Sequence, residues 1–99
     1  MKRFTFDQVT DFSDFFSGNN HEVTDAIVEG IKAAIQAKKE EAELFELGFH
    51  EEDDFFEVSL QKDEWPQALS ACMTKYEDAE MYDQVIDTFE LLREATDLL

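Results

Sequence analysis

The chain has 99 residues with 25 acidic and eight basic side chains, a net charge of −17, or about one unpaired negative charge for every six residues. That balance opposes binding to nucleic acid, which needs basic residues to displace counterions from phosphates, and it disfavours an anionic membrane surface. An apolar fraction of 43%, with ten phenylalanines, is enough for one small core and excludes a disordered chain.

The length suits a single acidic domain over residues 1–99. No apolar run reaches the 18 or so residues of a membrane span, and the segment Met1-Lys2-Arg3-Phe4-Thr5-Phe6-Asp7 lacks the apolar stretch of a secretory signal. A single cysteine, Cys72, cannot form an internal disulfide, so a reducing cytoplasm is the expected location.

Thr5-x-x-Gln8 fits a capping box, with Phe4 and Val9 as its staple, and predicts a helix from about 6 to 17 that lines up Val9, Phe12, Phe15 and Phe16 before Gly18-Asn19-Asn20. The alternation of Phe4 and Phe6 supports a competing strand over 2–6. Asn19-x-x-Glu22 then opens a long central helix whose stripe is Val23, Ile27, Ile31, Ala34, Ile35, Ala42 and Phe45, ending between Ala42 and Gly48. Phe56, Val58 and Leu60 alternate with Glu57 and Ser59, which predicts a strand over 55–60. Its nearest partner is 45–50, joined through Glu51-Glu52-Asp53-Asp54 in a short acidic β-hairpin.

Asp63-Glu64-Trp65-Pro66 reads as a helix start, with an acceptor at the cap and proline in the first turn. Trp65, Leu69, Cys72, Met73 and Tyr76 form its apolar stripe. The next apolar set, Tyr82, Val85, Ile86, Phe89 and Leu92, is out of phase with it, which places a turn near Glu77-Asp78 and predicts a C-terminal antiparallel helical hairpin. The fold class is α+β, mainly α.

The last helix carries the feature of greatest functional interest. Glu80, Asp83, Asp87, Glu90, Glu94 and Asp97 follow one another at steps of 3, 4, 3, 4 and 3, so they share one narrow arc, facing away from that apolar set. They extend over roughly 26 Å at 1.5 Å per residue. No lysine lies in the arc, and Arg93 stands to one side. Asp83 with Asp87, and Glu90 with Glu94, are like charges four apart, each destabilising by about 0.2–0.5 kcal/mol. Folding alone gives no reason for such a ladder, although a solvated face is the plain alternative.

Catalytic and metal chemistry find little support. Paired-acid catalysis needs two carboxyls in a cleft that separates their pKa values, whereas these acids occupy exposed faces and a loop. The acidic run Glu51–Asp54 lacks the glycine and alternating ligands of a calcium loop. His21 and His50 have no second histidine or cysteine at ligand spacing, and Gly18, Gly30 and Gly48 are isolated. Cys72 sits on an apolar stripe among negative charges, as a structural cysteine does. No enzyme activity, cofactor or metal is expected.

The expected function is therefore binding. Acids one helical turn apart lie about 5 Å apart along the axis, comparable to backbone phosphates. The ladder, extended by Glu51, Glu52, Asp53 and Asp54, would imitate a nucleic-acid backbone and fill the basic groove of a nucleic-acid-binding protein. In size, charge and helicity the chain resembles small acidic phage-encoded inhibitors of restriction, CRISPR or transcription machinery, a likeness of composition carried by no motif. The alternative is a helical adaptor or regulatory subunit that offers Tyr76, Tyr82, Val85 and Phe89 to a partner helix. Thirteen aromatic residues exceed what so small a core hides, so one or two exposed anchors are expected beside the acids. Self-repulsion favours a monomer or a weak dimer.

Overall fold

A computed structural model describes residues 2–6, 21–49 and 55–99. Strand β1 (Lys2–Phe6) is followed by helix α1 (Glu22–Gln36), strands β2 (Glu41–Phe49) and β3 (Phe55–Gln61), a 3-10 turn (Lys62–Glu64), and helices α2 (Trp65–Asp78) and α3 (Tyr82–Asp97). The sheet order is β1-β2-β3, with β1 parallel to β2 and β2 antiparallel to β3. The strand reading of residues 2–6 is the one observed. The remainder of the helix expected over 6–17 lies outside the described residues, as do Asn19 and the connection Glu51–Asp54.

The long central helix is corrected to 15 residues. It stops because Lys38 takes a left-handed conformation (φ 57°), while its N–H donates to the Ile35 carbonyl and that of Lys39 to the Ala34 carbonyl. That pair of bonds is a Schellman ending, built here without the usual glycine. Ala42 and Phe45, expected on the helix stripe, are buried strand residues instead. A bulge between Glu43 and Phe45 leaves Leu44 unpaired, and Leu44 and Phe45 are both buried. The first residue of α1 is Glu22, and its N-cap is His21.

The start of α2 also differs in detail. Its N-cap is Glu64 rather than Asp63, with no side-chain cap hydrogen bond, and a reciprocal Gln61–Glu64 box caps the preceding 3-10 turn instead, the Gln61 N–H donating to Glu64 Oε1 at 3.2 Å. Trp65, Leu69, Cys72 and Tyr76 are buried at the predicted spacing. The indole N–H of Trp65 donates to the Leu60 carbonyl at 3.0 Å, joining α2 to β3. Helix α2 closes with the same device as α1: Glu80 is left-handed (φ 60°), and the N–H groups of Glu80 and Met81 donate to Glu77 and Tyr76 carbonyls.

Phe4, Val23, Ile31, Ala34, Ala42, Leu44, Phe45, Trp65, Leu69, Leu91 and Ala95 contribute to one core cluster. Helix α1 lies on β2, α2 packs on α1, and α3 packs chiefly on α2 with only marginal contact to α1. Gly30 lies where α1 approaches the sheet closely. A Cβ there would lie 2.7 Å from Leu44 Cδ2 and 3.0 Å from the Glu43 carbonyl oxygen. The third helix is thus the outermost, and much of its surface faces solvent.

Candidate functional site

The acidic ladder belongs to this outer helix, with one correction. Glu80 occupies the left-handed turn between α2 and α3, so helical spacing does not govern it. The five remaining acids, Asp83, Asp87, Glu90, Glu94 and Asp97, lie in α3 and are all exposed. At 100° per residue they occupy an arc of about 80°, over roughly 21 Å of axis. Among the described residues none of the five forms an ion pair; the pairs Arg3–Glu46 (2.7 Å) and Lys62–Glu40 (3.8 Å) lie elsewhere.

The orientation of α3 overturns a second expectation. Its buried row is Thr88, Leu91 and Ala95, while Tyr82, Ile86 and Phe89 are exposed and Val85 and Leu92 only half-buried. The helix is rotated by roughly 100° from the position its apolar count implies. Small side chains give the reason: Thr88 and Ala95 let the α3 backbone approach its neighbours closely, and Leu91 fills the space beside them. Of the adaptor face, Tyr82 and Phe89 are exposed and Tyr76 is buried.

A groove of about 510 Å³ runs between α1 and α3. Asp25, Glu29 and Lys32 line it from α1, Tyr76 from α2, and Asp87, Glu90 and Glu94 from α3. Tertiary packing therefore adds two carboxylates to the ladder and sets one lysine opposite it. Sequence spacing along α3 could not reveal these three residues, because they come from a helix more than 50 positions away. Glu51, Glu52, Asp53 and Asp54, expected to extend the strip, lie outside the described residues.

Two side chains of α2, Cys72 and Tyr76, are perturbed by burial. Cys72 is buried on α2 with its Sγ 4.0 Å from the Thr24 carbonyl oxygen. Burial, with the Asp25 charge adding to it and Lys75 opposing, pushes its thiol up to about 11, so it is not a thiolate nucleophile at neutral pH. Burial and the hydrogen bond to Asp25 raise the Tyr76 phenol well above its ordinary value. Among the described residues no group of three or more histidine, cysteine, aspartate or glutamate side chains is placed to hold a metal ion. No described helix is long and apolar enough to cross a membrane. What the site offers chemically is a fixed array of negative charge beside exposed aromatic and aliphatic surface.

Comparison of the chain with protein-family models, with curated proteins and with solved structures finds no match in any of the three.

Proposed function

We propose that this chain is a non-catalytic acidic binding protein whose α3 ridge imitates the charge of a nucleic-acid backbone and occupies the basic groove of a nucleic-acid-binding protein. One observation carries this reading: five carboxylates share one exposed helix face with no ion pair among the described residues. Like charges at i and i+4 weaken the helix that bears them, so their retention favours a role outside folding. Asp25 and Glu29 broaden the negative surface across the groove, and Lys32 offsets only part of it. Such a field steers a cationic partner into place and speeds its encounter.

The adaptor reading keeps one specific observation in its favour, the exposure of Tyr82 and Phe89. Ionic strength separates the two. Affinity capture at low salt, followed by a salt gradient, should elute a basic nucleic-acid-binding protein that DNA or heparin also displaces. A complex that survives about 1 M salt, where the Debye length is about 3 Å, is held by apolar contacts and supports the adaptor instead.

A further inference from the structure

Tyr82, Ile86 and Phe89 are 62%, 58% and 47% exposed, whereas a helix at the edge of a domain ordinarily turns such side chains toward the core. They form a single row at steps of 4 and 3, centred roughly opposite the buried row of Thr88, Leu91 and Ala95. The acidic row lies immediately beside it. Both rows recur every three or four residues, so each repeats about every 5 Å along the axis. An element that meets both rows together must share that period, and another α-helix does.

Charge selects which helix. A second copy of this chain would bring a molecule of charge −17 against its like, with acidic rows at the contact. An anionic membrane is repelled for the same reason. A helix with apolar residues on one stripe and lysine or arginine along its flank satisfies both rows. We infer that the outer face of α3 receives a cationic amphipathic helix of the partner, its apolar stripe on Tyr82, Ile86 and Phe89 and its basic flank over Asp87, Glu90 and Glu94. The inference rests on the proposed function for the acidic row and adds the apolar row as the source of specificity. Aromatic and aliphatic anchors at the centre, bordered by a charged rim, are the usual division of labour at an interface.

Three synthetic peptides test it by fluorescence anisotropy: a Leu/Lys peptide with its leucines on one helical stripe, a permuted peptide of the same composition, and an oligolysine of equal charge. The native chain should bind the first about tenfold or more tighter than either control. The double substitution Ile86→Ser/Phe89→Ser should reduce the amphipathic peptide to the oligolysine level while far-UV circular dichroism stays unchanged. Equal affinity for all three peptides, unaffected by that substitution, overturns the inference. The acidic reading then still stands if Asp87→Asn/Glu90→Gln/Glu94→Gln abolishes oligolysine binding. If that triple substitution changes no affinity, the acidic reading fails and the inference fails with it. A native dimer in sedimentation that Ile86→Ser/Phe89→Ser converts to monomer also overturns it, because a second copy then covers the face.

Discussion

The Tyr76 phenol donates a 2.5 Å hydrogen bond to Asp25 Oδ1, tying α2 to the first turn of α1 at the end of the groove. The tyrosine ring is buried, while Asp25 remains exposed. Removing the hydroxyl should therefore cost less than the loss of a fully buried charged partner, since water can solvate the freed carboxylate. Tyr76→Phe is expected to destabilise the fold by about 1 kcal/mol, read as a lower urea midpoint with an unchanged slope.

Gly30 provides a case in which packing should override helix propensity. Alanine in a helix interior is favoured over glycine by about 0.8–1 kcal/mol. A Cβ at Gly30 would lie 3.0 Å from the Glu43 carbonyl oxygen and 3.2 Å from Leu44 Cα, both backbone atoms that cannot swing aside. Forcing α1 off the sheet should cost about 1–3 kcal/mol, so Gly30→Ala is expected to be destabilising on balance. A rise in melting temperature would refute this account of the α1–β2 contact.

Lys38 and Glu80 hold left-handed conformations that glycine adopts without penalty. Each such residue costs about 1–2 kcal/mol in strain, partly offset by the smaller unfolded-state entropy of a non-glycine residue. Lys38→Gly and Glu80→Gly should each stabilise the chain by up to about 1 kcal/mol, additively, because the two turns are separate. Differential scanning calorimetry of the two single variants and the double variant checks both the sign and the additivity.

Stability should also depend on ionic strength. Converting Asp83, Asp87, Glu90, Glu94 and Asp97 to their amides removes two like-charge pairs at i and i+4 and most of the field on α3, so melting temperature should hold or rise. Added salt should stabilise the native chain by screening its self-repulsion, with a smaller effect on the amide variant. A large fall in stability on neutralisation would mean that these carboxylates serve folding.

Alkaline pH should weaken the fold through Cys72 and Tyr76. Burial raises both pKa values in the folded state, the thiol to about 11 and the phenol above its ordinary range. A group whose folded pKa lies above its unfolded value contributes its stability below the unfolded pKa, and loses it as pH rises through the folded one. The contribution of these two groups should thus be level up to about pH 8 and decline above about pH 9, with Cys72 contributing between 9 and 11. Cys72→Ala should reduce the decline over that interval, leaving the part due to Tyr76 above about pH 10, in urea titrations followed by Trp65 fluorescence.

Much of the chain could be read from residue spacing because its elements carry local signals. Trp65, Leu69, Cys72 and Tyr76 mark a buried helix stripe by period alone, and Phe56, Val58 and Leu60 mark a strand. The exposure of Asp83, Asp87, Glu90, Glu94 and Asp97 was legible for the same reason, since so many carboxylates on one arc cannot be buried together. The end of α1 was not legible, because a left-handed turn is signalled by glycine and Lys38 stands where glycine would. The turn after α2 shows near Glu77-Asp78 as a change of phase in the apolar stripe, but Glu80, left-handed within that turn, reads by spacing as a rung of a helix it does not enter.

The rotation of α3, and with it the composition of the surface, was decided by tertiary packing. Counting apolar side chains turns Tyr82, Ile86 and Phe89 inward, whereas the close approach permitted by Thr88 and Ala95 turns them out. The sequence by itself determined where negative charge is carried, since that depends on residue type and helical period. Only the folded chain decided what stands beside that charge, namely Asp25, Glu29 and Lys32 across the groove and an uncovered apolar row, because those neighbours depend on how closely helices from distant parts of the chain can pack.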